Sequence, residues 1–365
     1  MIVIKPWNTN KFLTNDIHFP PKYIFSNDDK LKSIQSFNDE LSPNFLQDLR
    51  KAGECHRAVR KYVQSYIKPN IKITDVCNMI ENKIVEYTKF NNLSAGIAFP
   101  VGLSLNNVIA HDSANQNDNR IIGQNDVCKI DFGIHFNGHI IDCAFSAAFN
   151  DIYEPLLLAT RDATWTGIKF AGPDAICNEL SQHIQEVIES YEIELNGKIC
   201  PIKAVRNLGG HSIDRYCIHS GTYILSCPSN NNDYMNMRMQ ENRLYAIETF
   251  ATTGTGNYTY NNNNINHYML NKQNINIPNF NFKATKSLYQ WIVKNRSTLA
   301  FSPKWISDVN IGNKLKFGLN ELVNKNVIIP FPPLCDIPTS YSSQFEHTIY
   351  IHSNGKEVLS AGDDF

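Results

Sequence analysis

The 365-residue sequence lacks the features that identify membrane, secreted and disulfide-rich proteins. No apolar run approaches the roughly 20 residues that a membrane-spanning helix needs. The first residues show no basic segment followed by a long apolar stretch, so we expect no secretory signal there. The nine cysteines are scattered and form no Cys-x-x-Cys pair, which argues against a disulfide framework and against a cysteine-rich zinc site. We therefore expect reduced thiols, a cytoplasmic location and no contact with a membrane.

A strong net charge is also missing. Lys and Arg together number 34 and Asp and Glu 35, so the net charge is −1. Because the sequence has no block of basic residues, it is a poor candidate for nonspecific binding to DNA or other nucleic acids. Hydrophobic residues make up 42% of the chain and charged residues 19%, which are values of an ordinary globular protein. We take a monomer as the default oligomeric state.

The apolar pattern divides the chain into an N-terminal arm, residues 1–41, and one large domain, residues 42–365. The arm carries no sustained periodicity. Apolar residues at helical spacing predict four helices in the domain, at 42–67, 74–87, 156–170 and 175–191. Two Asn-Gly dipeptides between β-prone segments, Asn137-Gly138 and Asn196-Gly197, predict hairpins. Two further strands are predicted, at 243–251 and 344–352.

The region at about 283–335 has a different texture. Leucine and tryptophan residues at helical spacing predict a small helical insert there. Just before it, the Asn-rich tract 261–264 is interpreted as a surface loop of low complexity.

The first predicted hairpin carries two acidic residues. A two-residue turn at Asn137-Gly138 places Asp142 opposite Gly133, two residues along the strand from Asp131. Because side chains alternate along a strand, the two carboxylates share one face, with Cα atoms roughly 7–8 Å apart. Inside an apolar hairpin they would repel each other and resist ionisation unless a cation lay between them. The alternative is a solvated face on which the pair is incidental.

Three further segments each add one polar side chain. His211 follows a Gly-Gly pair, while Glu248 and Glu346 each lie within a β-prone run of apolar and aromatic residues. Each of these residues alone is more typical of a paired structural group than of a functional one. With Asp131 and Asp142 they would supply four carboxylates and one imidazole. Such a set suits paired Mn, Fe, Co or Zn ions better than a single tetrahedral zinc.

These residues lie in motifs that resemble the methionine aminopeptidases of the second type. The family has the α+β pita-bread fold, with pseudo-twofold related halves and a small helical insertion typical of type 2. The similarity runs from about residue 94 to residue 365 and, more weakly, back to residue 42. The matching segments are 95–107, 110–111, 129–133, 141–145, 210–212, 245–250, 332–336 and 344–347.

The resemblance implies a hydrolase, specifically a metallo-aminopeptidase. Its members remove the initiator methionine cotranslationally from nascent proteins whose second residue is small. The reaction is a hydrolysis assisted by two divalent metal ions per chain, for which Co, Mn, Fe and Zn are candidates. Nascent polypeptide N-termini would be the substrates, and a transient association with the ribosome is possible.

The site of the family carries over to this sequence position by position. Asp131 would chelate one metal, Asp142 and Glu346 would bridge the pair, and His211 and Glu248 would hold the other metal. All five ligands fall in the expected order.

The resemblance also implies catalytic and substrate-binding residues. Glu248 would take the proton from water, His219 would contact the developing tetrahedral centre, and His111 would contact the substrate amide or the leaving nitrogen. The residues expected to bind substrate are Phe99, Gly102, His111, His219, His267 and Ala300. His111 would also be the residue that spiro-epoxides of the fumagillin type alkylate.

Two positions depart from the family pattern. Gly209 stands where an Asn is usual, and Phe331 replaces a usual Tyr. Both are expected to alter the rim of the pocket.

Two alternative functions fit the same fold. A prolidase-type peptidase would use the same five ligands, but those relatives usually carry a separate N-terminal domain, for which residues 1–41 leave no room. A non-catalytic pita-bread protein that binds RNA or ribosomes predicts lost ligands and basic patches, whereas this sequence has all five ligands and a net charge of −1.

Overall fold

The structure is a computed structural model. It describes the backbone of Ile24–Phe25 and the ranges 44–273, 279–306, 314–352 and 355–365. The predicted arm, residues 1–41, otherwise lies outside the described residues. Ile24–Phe25 pair antiparallel with Glu357 and Lys356. Within the described ranges no helix is long and apolar enough to cross a membrane.

Runs of consecutive strands are separated by one or two helices along the described chain. The helices are α1 (Phe45–Tyr66), α2 (Ile73–Thr88), α3 (Glu154–Phe170), α4 (Cys177–Glu189), α5 (Asn232–Met235), α6 (Lys283–Asn295) and α7 (Leu315–Asn324), with 3-10 turns at Asp151–Tyr153 and Pro303–Trp305. The strands are β1 (Ile24–Phe25), β2 (Ala95–Ile97), β3 (Gly102–Leu105), β4 (Val108–Ala110), β5 (Val127–Phe136), β6 (His139–Ala148), β7 (Glu192–Leu195), β8 (Lys198–Pro201), β9 (Lys203–Ala204), β10 (Gly209–Ile213), β11 (Tyr223–Leu225), β12 (Arg243–Thr252), β13 (Thr259–Tyr260), β14 (Tyr268–Leu270), β15 (Ile328–Pro330), β16 (Leu334–Cys335), β17 (Ser342–His352) and β18 (Gly355–Val358).

Both Asn-Gly dipeptides form the predicted hairpins. Phe136 pairs with His139 across the first turn, and Asp142 lies opposite Gly133, which confirms the predicted register. The second dipeptide joins β7 and β8. Asn137 has a φ of 50° and Gly138 a φ of 83°, so both turn residues adopt the left-handed backbone that a type I′ turn requires.

Two sheets form the centre of the molecule. In the first, β5 lies between β2 and β3 on one edge and β6 on the other. In the second, the order is β1-β18-β17-β12-β10-β11, with β9 also paired to β12. The strands β6 and β17 are buried along their whole length, as expected for strands covered on both faces.

Side-chain hydrogen bonds join the two sheets where β6 faces β17. Thr348 Oγ1 accepts a hydrogen bond from Asp142 N at 2.8 Å and donates one to Asp142 O at 2.6 Å. Ser146 Oγ donates to Gln344 O at 2.9 Å. These bonds satisfy buried polar groups, and they fix the relative position of Asp142 and the strand that carries Glu346.

Helices cover the outer faces of both sheets. On α1, His56 stacks on Phe132 of β5 with ring centroids 4.0 Å apart. On α3, Thr164 Oγ1 donates to Phe345 O of β17 at 3.0 Å. The predicted helices are therefore present and lie on the sheets. The helix predicted to begin at Thr74 begins one residue earlier, at Ile73, and its N-cap, Lys72, makes no side-chain cap hydrogen bond.

The two helices α6 and α7 form a second, smaller core, in the region predicted to be helical. Its buried members are Leu288, Ile292, Phe301, Leu319, Leu322, Val327 and Ile328. Glu321 of α7 accepts a hydrogen bond from Thr285 Oγ1 of α6 at 2.6 Å, which ties the two helices together. Arg296, which is 3% exposed, connects this unit to the first sheet through hydrogen bonds to the carbonyls of Ile97 and Ala98.

Candidate metal centre and active site

Five strands bring five polar side chains to one point. The β5–β6 hairpin carries Asp131 and Asp142. On the second sheet, Glu248 of β12 lies directly opposite Glu346 of β17. On the next strand, β10, His211 pairs with Ala246, two residues from Glu248, so that its side chain reaches the same place.

The five side chains form two groups that share one member. Ligand atoms of Asp142, His211 and Glu346 lie within 4.8 Å of one another, and so do those of Asp131, Glu248 and Glu346. His211 Nε2 is 3.6 Å from Asp142 Oδ2. The shared position of Glu346 is the one that a bridging carboxylate needs. Glu248, however, groups with Asp131, whereas the family resemblance places it with His211.

The carboxylates of this cluster are buried without enough hydrogen-bond donors. Asp142, Glu248 and Glu346 are 8% exposed or less. Asp131 Oδ1, Asp142 Oδ1 and both oxygens of Glu346 find no hydrogen-bond partner within the described part of the chain. Buried anions in that state are costly unless a cation neutralises them. These residues therefore fit divalent metal ions, for which unsatisfied carboxylate oxygens and one imidazole are suitable ligands.

The pKa values of the four carboxyl groups reflect the same free-energy cost of burying their charges. Burial raises the pKa of Asp131 to about 7, although a hydrogen bond from Gln344 acts in the opposite direction. Burial and the neighbouring carboxylates raise the pKa values of Asp142, Glu248 and Glu346 well above their ordinary values. Four carboxylates at such short range cannot all ionise without compensating positive charge.

His211 is suited to bind a metal ion as a neutral ligand. Burial lowers its pKa to about 4, so the imidazole is uncharged at neutral pH and one ring nitrogen offers a lone pair. Its Nδ1 lies 3.4 Å from Ser212 O, a long contact of the kind that orients the ring of a metal-binding histidine.

Gln344 is a member of the site that the sequence reasoning did not single out. Its Nε2 donates to Glu248 Oε1 at 2.6 Å and to Asp131 Oδ2 at 3.1 Å. This amide explains why Glu248 lies close to Asp131. A signal was available, because Gln344 is two residues from Glu346 and must share its face of the strand.

A cavity opens beside the cluster, with a volume of about 460 Å³ that includes its mouth. It brings together Phe99, His111, His219, His267 and Ala300, five of the predicted substrate-binding residues. Among the described residues, the lining is formed by Phe99, His111, Asp131, Asp142, His211, Ile218, His219, Glu248, His267, Met269, Ala300 and Phe331. Gly102 is not part of the lining; it pairs with Asp131 from β3. Ile218 and Met269 were missed, although each lies within two residues of a predicted histidine.

Aromatic rings form one wall of this cavity. The ring of His267 is stacked with that of Phe99 at 6.3 Å and lies 5.2 Å from that of Phe331. His111 lies edge-on to both His267 and Phe331. Such a wall offers a polarisable apolar surface for an unbranched side chain.

Three further histidines of the cavity are neutral at pH 7. Burial lowers the pKa of His111 to about 4. Burial and the neighbouring histidines lower the pKa values of His219 and His267 well below the ordinary value. His219 lies beside the cluster, with its ring 4.3 Å from that of His211 and perpendicular to it. Neutral imidazoles can donate or accept a hydrogen bond next to cations without electrostatic repulsion.

The two departures from the family pattern have different structural effects. Phe331 lines the cavity, as expected. Gly209 lies on β10 opposite Leu225 and is not part of the lining. A Cβ atom at Gly209 would stand closer than 3 Å to the backbone of Ile224 and Leu225. Gly209 therefore allows the close approach of β10 and β11 rather than shaping the rim of the pocket.

Comparison with known proteins identifies the family of this chain. Residues 47–353 match the model of metallopeptidase family M24. The chain is 43% identical over 327 residues to methionine aminopeptidase 2A of Arabidopsis thaliana, covering 90% of this chain and 73% of the relative. It is 44% identical over 328 residues to methionine aminopeptidase 2 of Debaryomyces hansenii, covering 90% and 77%.

Solved structures show the same fold at low sequence identity. A thermophilic Arx1 matches with a TM-score of 0.71 at 16% identity, covering 88% of this chain and 92% of that one. A methionine aminopeptidase from Thermotoga maritima matches with a TM-score of 0.58 at 16% identity, covering 88% and 98%. The α+β pita-bread fold is thus confirmed. The chain belongs to metallopeptidase family M24 and is, within it, a metallo-aminopeptidase of the methionine aminopeptidase 2 group.

Proposed function

We propose that this protein removes the initiator methionine from nascent chains, cotranslationally, when the second residue is small. The observation that carries the proposal is the buried cluster of four carboxylates and His211, whose unsatisfied oxygens need cations. The similarity to methionine aminopeptidases 2 supplies the substrate. We assign residues 42–365 to one catalytic domain with a helical insert at about 283–335.

Two divalent ions are the proposed cofactors, one in each group of ligands, with Glu346 common to both. Asp142 would be the second shared ligand, because its Oδ2 is 3.6 Å from His211 Nε2 and it shares one face of the hairpin with Asp131. Co, Mn, Fe and Zn remain candidates, since carboxylate and imidazole ligands accept each of them. Such ions act as Lewis acids that polarise a carbonyl group and make water a stronger nucleophile.

Glu248 is the proposed general base. Its carboxylate lies at the edge of the cavity, and burial with nearby Asp131 and Asp142 raises its pKa well above the ordinary value. That direction belongs to the metal-free cluster. With the metal ions bound, the ionised Glu248 carboxylate would take the proton from the attacking water and pass it to the leaving nitrogen. The hydrogen bond from Gln344 fixes the orientation of this carboxylate.

His219 and His111 are the proposed donors to the substrate. His219 lies directly beside His211, where it can donate a hydrogen bond to the oxygen that becomes negative in the transition state. His111 lies near His267 and Phe331, where it can contact the substrate amide. Both imidazoles are neutral, which allows one nitrogen to donate while the other accepts.

Phe99, His267 and Phe331 form the proposed pocket for the methionine side chain. Ala300 is small and leaves depth at the end of the pocket, and Met269 adds an apolar surface. Arg296 keeps this end in place, since it donates to Ala300 O at 2.8 Å and to Ala98 O at 3.0 Å. Beyond the methionine, the second residue meets the crowded floor of carboxylates and histidines, which favours small side chains.

The proposed setting is the cytoplasm, with nascent polypeptide N-termini as substrates. We expect a monomer without DNA or membrane partners, and transient contact with ribosomes that present the nascent chain.

Release of methionine from Met-Ala-Ser and Met-Leu-Ser peptides tests the proposal. The metal-free protein should be inactive, and added Mn, Co, Fe or Zn should restore cleavage of Met-Ala-Ser. Met-Leu-Ser should be cleaved at least about tenfold more slowly. A Leu-Ala-Ser peptide controls for the methionine pocket. Equal kcat/KM values for the two methionine peptides would contradict the proposed selectivity, and metal-independent cleavage would contradict the proposed mechanism.

A further inference from the structure

The loop that carries His111 is largely buried and is held by several hydrogen bonds. His111 has a φ of 65°, a left-handed backbone conformation that residues other than glycine adopt only where their surroundings impose it. The next residue, Asp112, is fixed at its backbone. Asp112 N donates to Ser104 Oγ at 3.3 Å, and Asp112 O accepts from Leu103 N at 2.8 Å.

The side chain of Asp112 binds Arg120, eight residues further along the chain. Its carboxylate is 2% exposed and accepts two hydrogen bonds from Arg120, at 2.5 Å and 3.0 Å. Arg120 also binds Asp118, with its Nη2 at 2.6 Å from Asp118 Oδ2. Such a bidentate arginine fixes geometry as well as charge.

A second segment holds this loop from outside. Asn264 Nδ2 donates to Asp112 Oδ1 at 3.3 Å, and Asn266 Nδ2 donates to Ser113 O at 3.0 Å. Asn266 Nδ2 also donates to Asn264 Oδ1 at 3.0 Å, so the two amides act together. Both lie in the connection between β13 and β14 that carries His267.

We propose that Asn264 and Asn266, with Arg120, are positioning residues that hold His111 against His267 in the methionine pocket. The two amides join the loop of His111 to the loop of His267, whose rings are 5.9 Å apart. Without them, the left-handed His111 backbone would be held by its own loop, by β3 and by the pairing of Ala110 with Leu334 of β16. The proposal rests on the proposed catalytic role of His111.

Both amides donate their hydrogen bonds toward the loop of His111. The Asp112 carboxylate and the Ser113 carbonyl are both acceptors, and the amide N–H groups of Asn264 and Asn266 supply a donor to each. Asn264→Ala would remove one donor from a buried carboxylate, and Asn264→Asp would place a second carboxylate against it. Asn262, an exposed member of the same Asn-rich tract, provides a matched control.

The experiment compares Asn264→Ala, Asn266→Ala, Asn264→Asp and Asn262→Ala in the full chain, well below the melting temperature of every variant. Hydrogen exchange measured by mass spectrometry follows the segment around His111. The first-order rate constant of His111 alkylation by a spiro-epoxide, and kcat and KM for Met-Ala-Ser, report its position. The rate constant of His111 alkylation describes the folded molecules, so it does not change when a fraction of the protein has unfolded.

In Asn264→Ala and Asn266→Ala, we expect faster hydrogen exchange around His111. We also expect the rate constant of His111 alkylation and kcat to fall about tenfold each. Asn264→Asp should be affected more strongly and Asn262→Ala not at all. Unchanged exchange in both Ala variants, or an equal effect of Asn262→Ala, would overturn the proposal. Faster exchange with unchanged alkylation and kcat would also overturn it. If the wild-type protein releases no methionine, the proposed function fails, while exchange and alkylation still decide whether the amides position His111.

Discussion

Replacing Gln344 by Met should weaken metal binding without removing any proposed ligand. The substitution keeps an unbranched side chain of similar size at a position that is 1% exposed and removes both amide hydrogens. The bond to Glu248, at 2.6 Å, is short and charge-assisted. The bond to Asp131, at 3.1 Å, is longer. A hydrogen bond to a charged group contributes about 1.5–3 kcal/mol, and the shorter bond should account for most of the effect.

The consequence for metal binding follows from proton competition. Gln344 lowers the pKa values of Asp131 and Glu248 in the metal-free protein, so its loss raises both. Ligands with a higher pKa must release more protons when a metal binds at neutral pH. We therefore expect apparent metal affinity to fall by about 10- to 100-fold at pH 7, and the deficit to shrink as the pH rises.

Calorimetric metal titration of the metal-free protein at several pH values measures this effect. Gln182→Met is the matched control, because Gln182 donates to Glu186 at 2.9 Å on the exposed surface of α4. The control should bind metal like the wild type. Equal affinity and equal pH dependence in Gln344→Met and wild type would refute the reasoning. A large drop in melting temperature of the metal-loaded variant would indicate a general packing defect instead.

The other predictions concern the ligands, the metal-free state and His111. Asp142→Asn and Glu346→Gln should each abolish turnover and weaken or remove metal sites in a calorimetric titration; unchanged stoichiometry with full activity would contradict the bridging roles. In the metal-free chain, the pKa of Asp131 is about 7 against an ordinary 3.8, so the folded state holds a proton that the unfolded state releases. Asp131 should therefore lower the free energy of unfolding by a few kcal/mol as the pH rises from about 4 to about 7, whereas buried histidines with lowered pKa values raise it. Chemical denaturation of the metal-free wild type and of Asp131→Asn at each pH isolates the Asp131 contribution, which Asp131→Asn should lack. A spiro-epoxide should give one adduct at His111 and none in His111→Asn, as mapped by mass spectrometry.

The positions of Asp131 and Asp142 could be predicted from local features of the sequence. An Asn-Gly turn and the alternation of side chains fix the register of β5 and β6, so the sequence alone is enough to place Asp131 and Asp142 on one face. The position of Glu248 opposite Glu346 could not be derived in this way. Nearly 100 residues separate them, and their pairing depends on how two distant strands pack within one sheet. Only the family resemblance relates them at the level of sequence.

Contacts between loops were the least predictable part. The tract 261–264 has the composition of a surface loop, yet Asn264 makes a specific bond to a buried carboxylate. Composition alone does not distinguish an amide that faces water from one that faces a buried acid. Gly209 shows the same limit, because its need for close strand packing appears only once β11 is in place. The grouping of Glu248 with Asp131 likewise depends on the rotamer that Gln344 holds.

Titration of a divalent metal into the metal-free chain, with bound ions counted by native mass spectrometry and methionine release from Met-Ala-Ser measured on the same samples, tests the central claim most directly. The five-residue cluster predicts that the wild type binds two ions and becomes active as they bind. Glu346→Gln, which removes the ligand common to both groups, should bind fewer ions and remain inactive. Full methionine release by a chain with no bound metal, or by Glu346→Gln, would contradict the account.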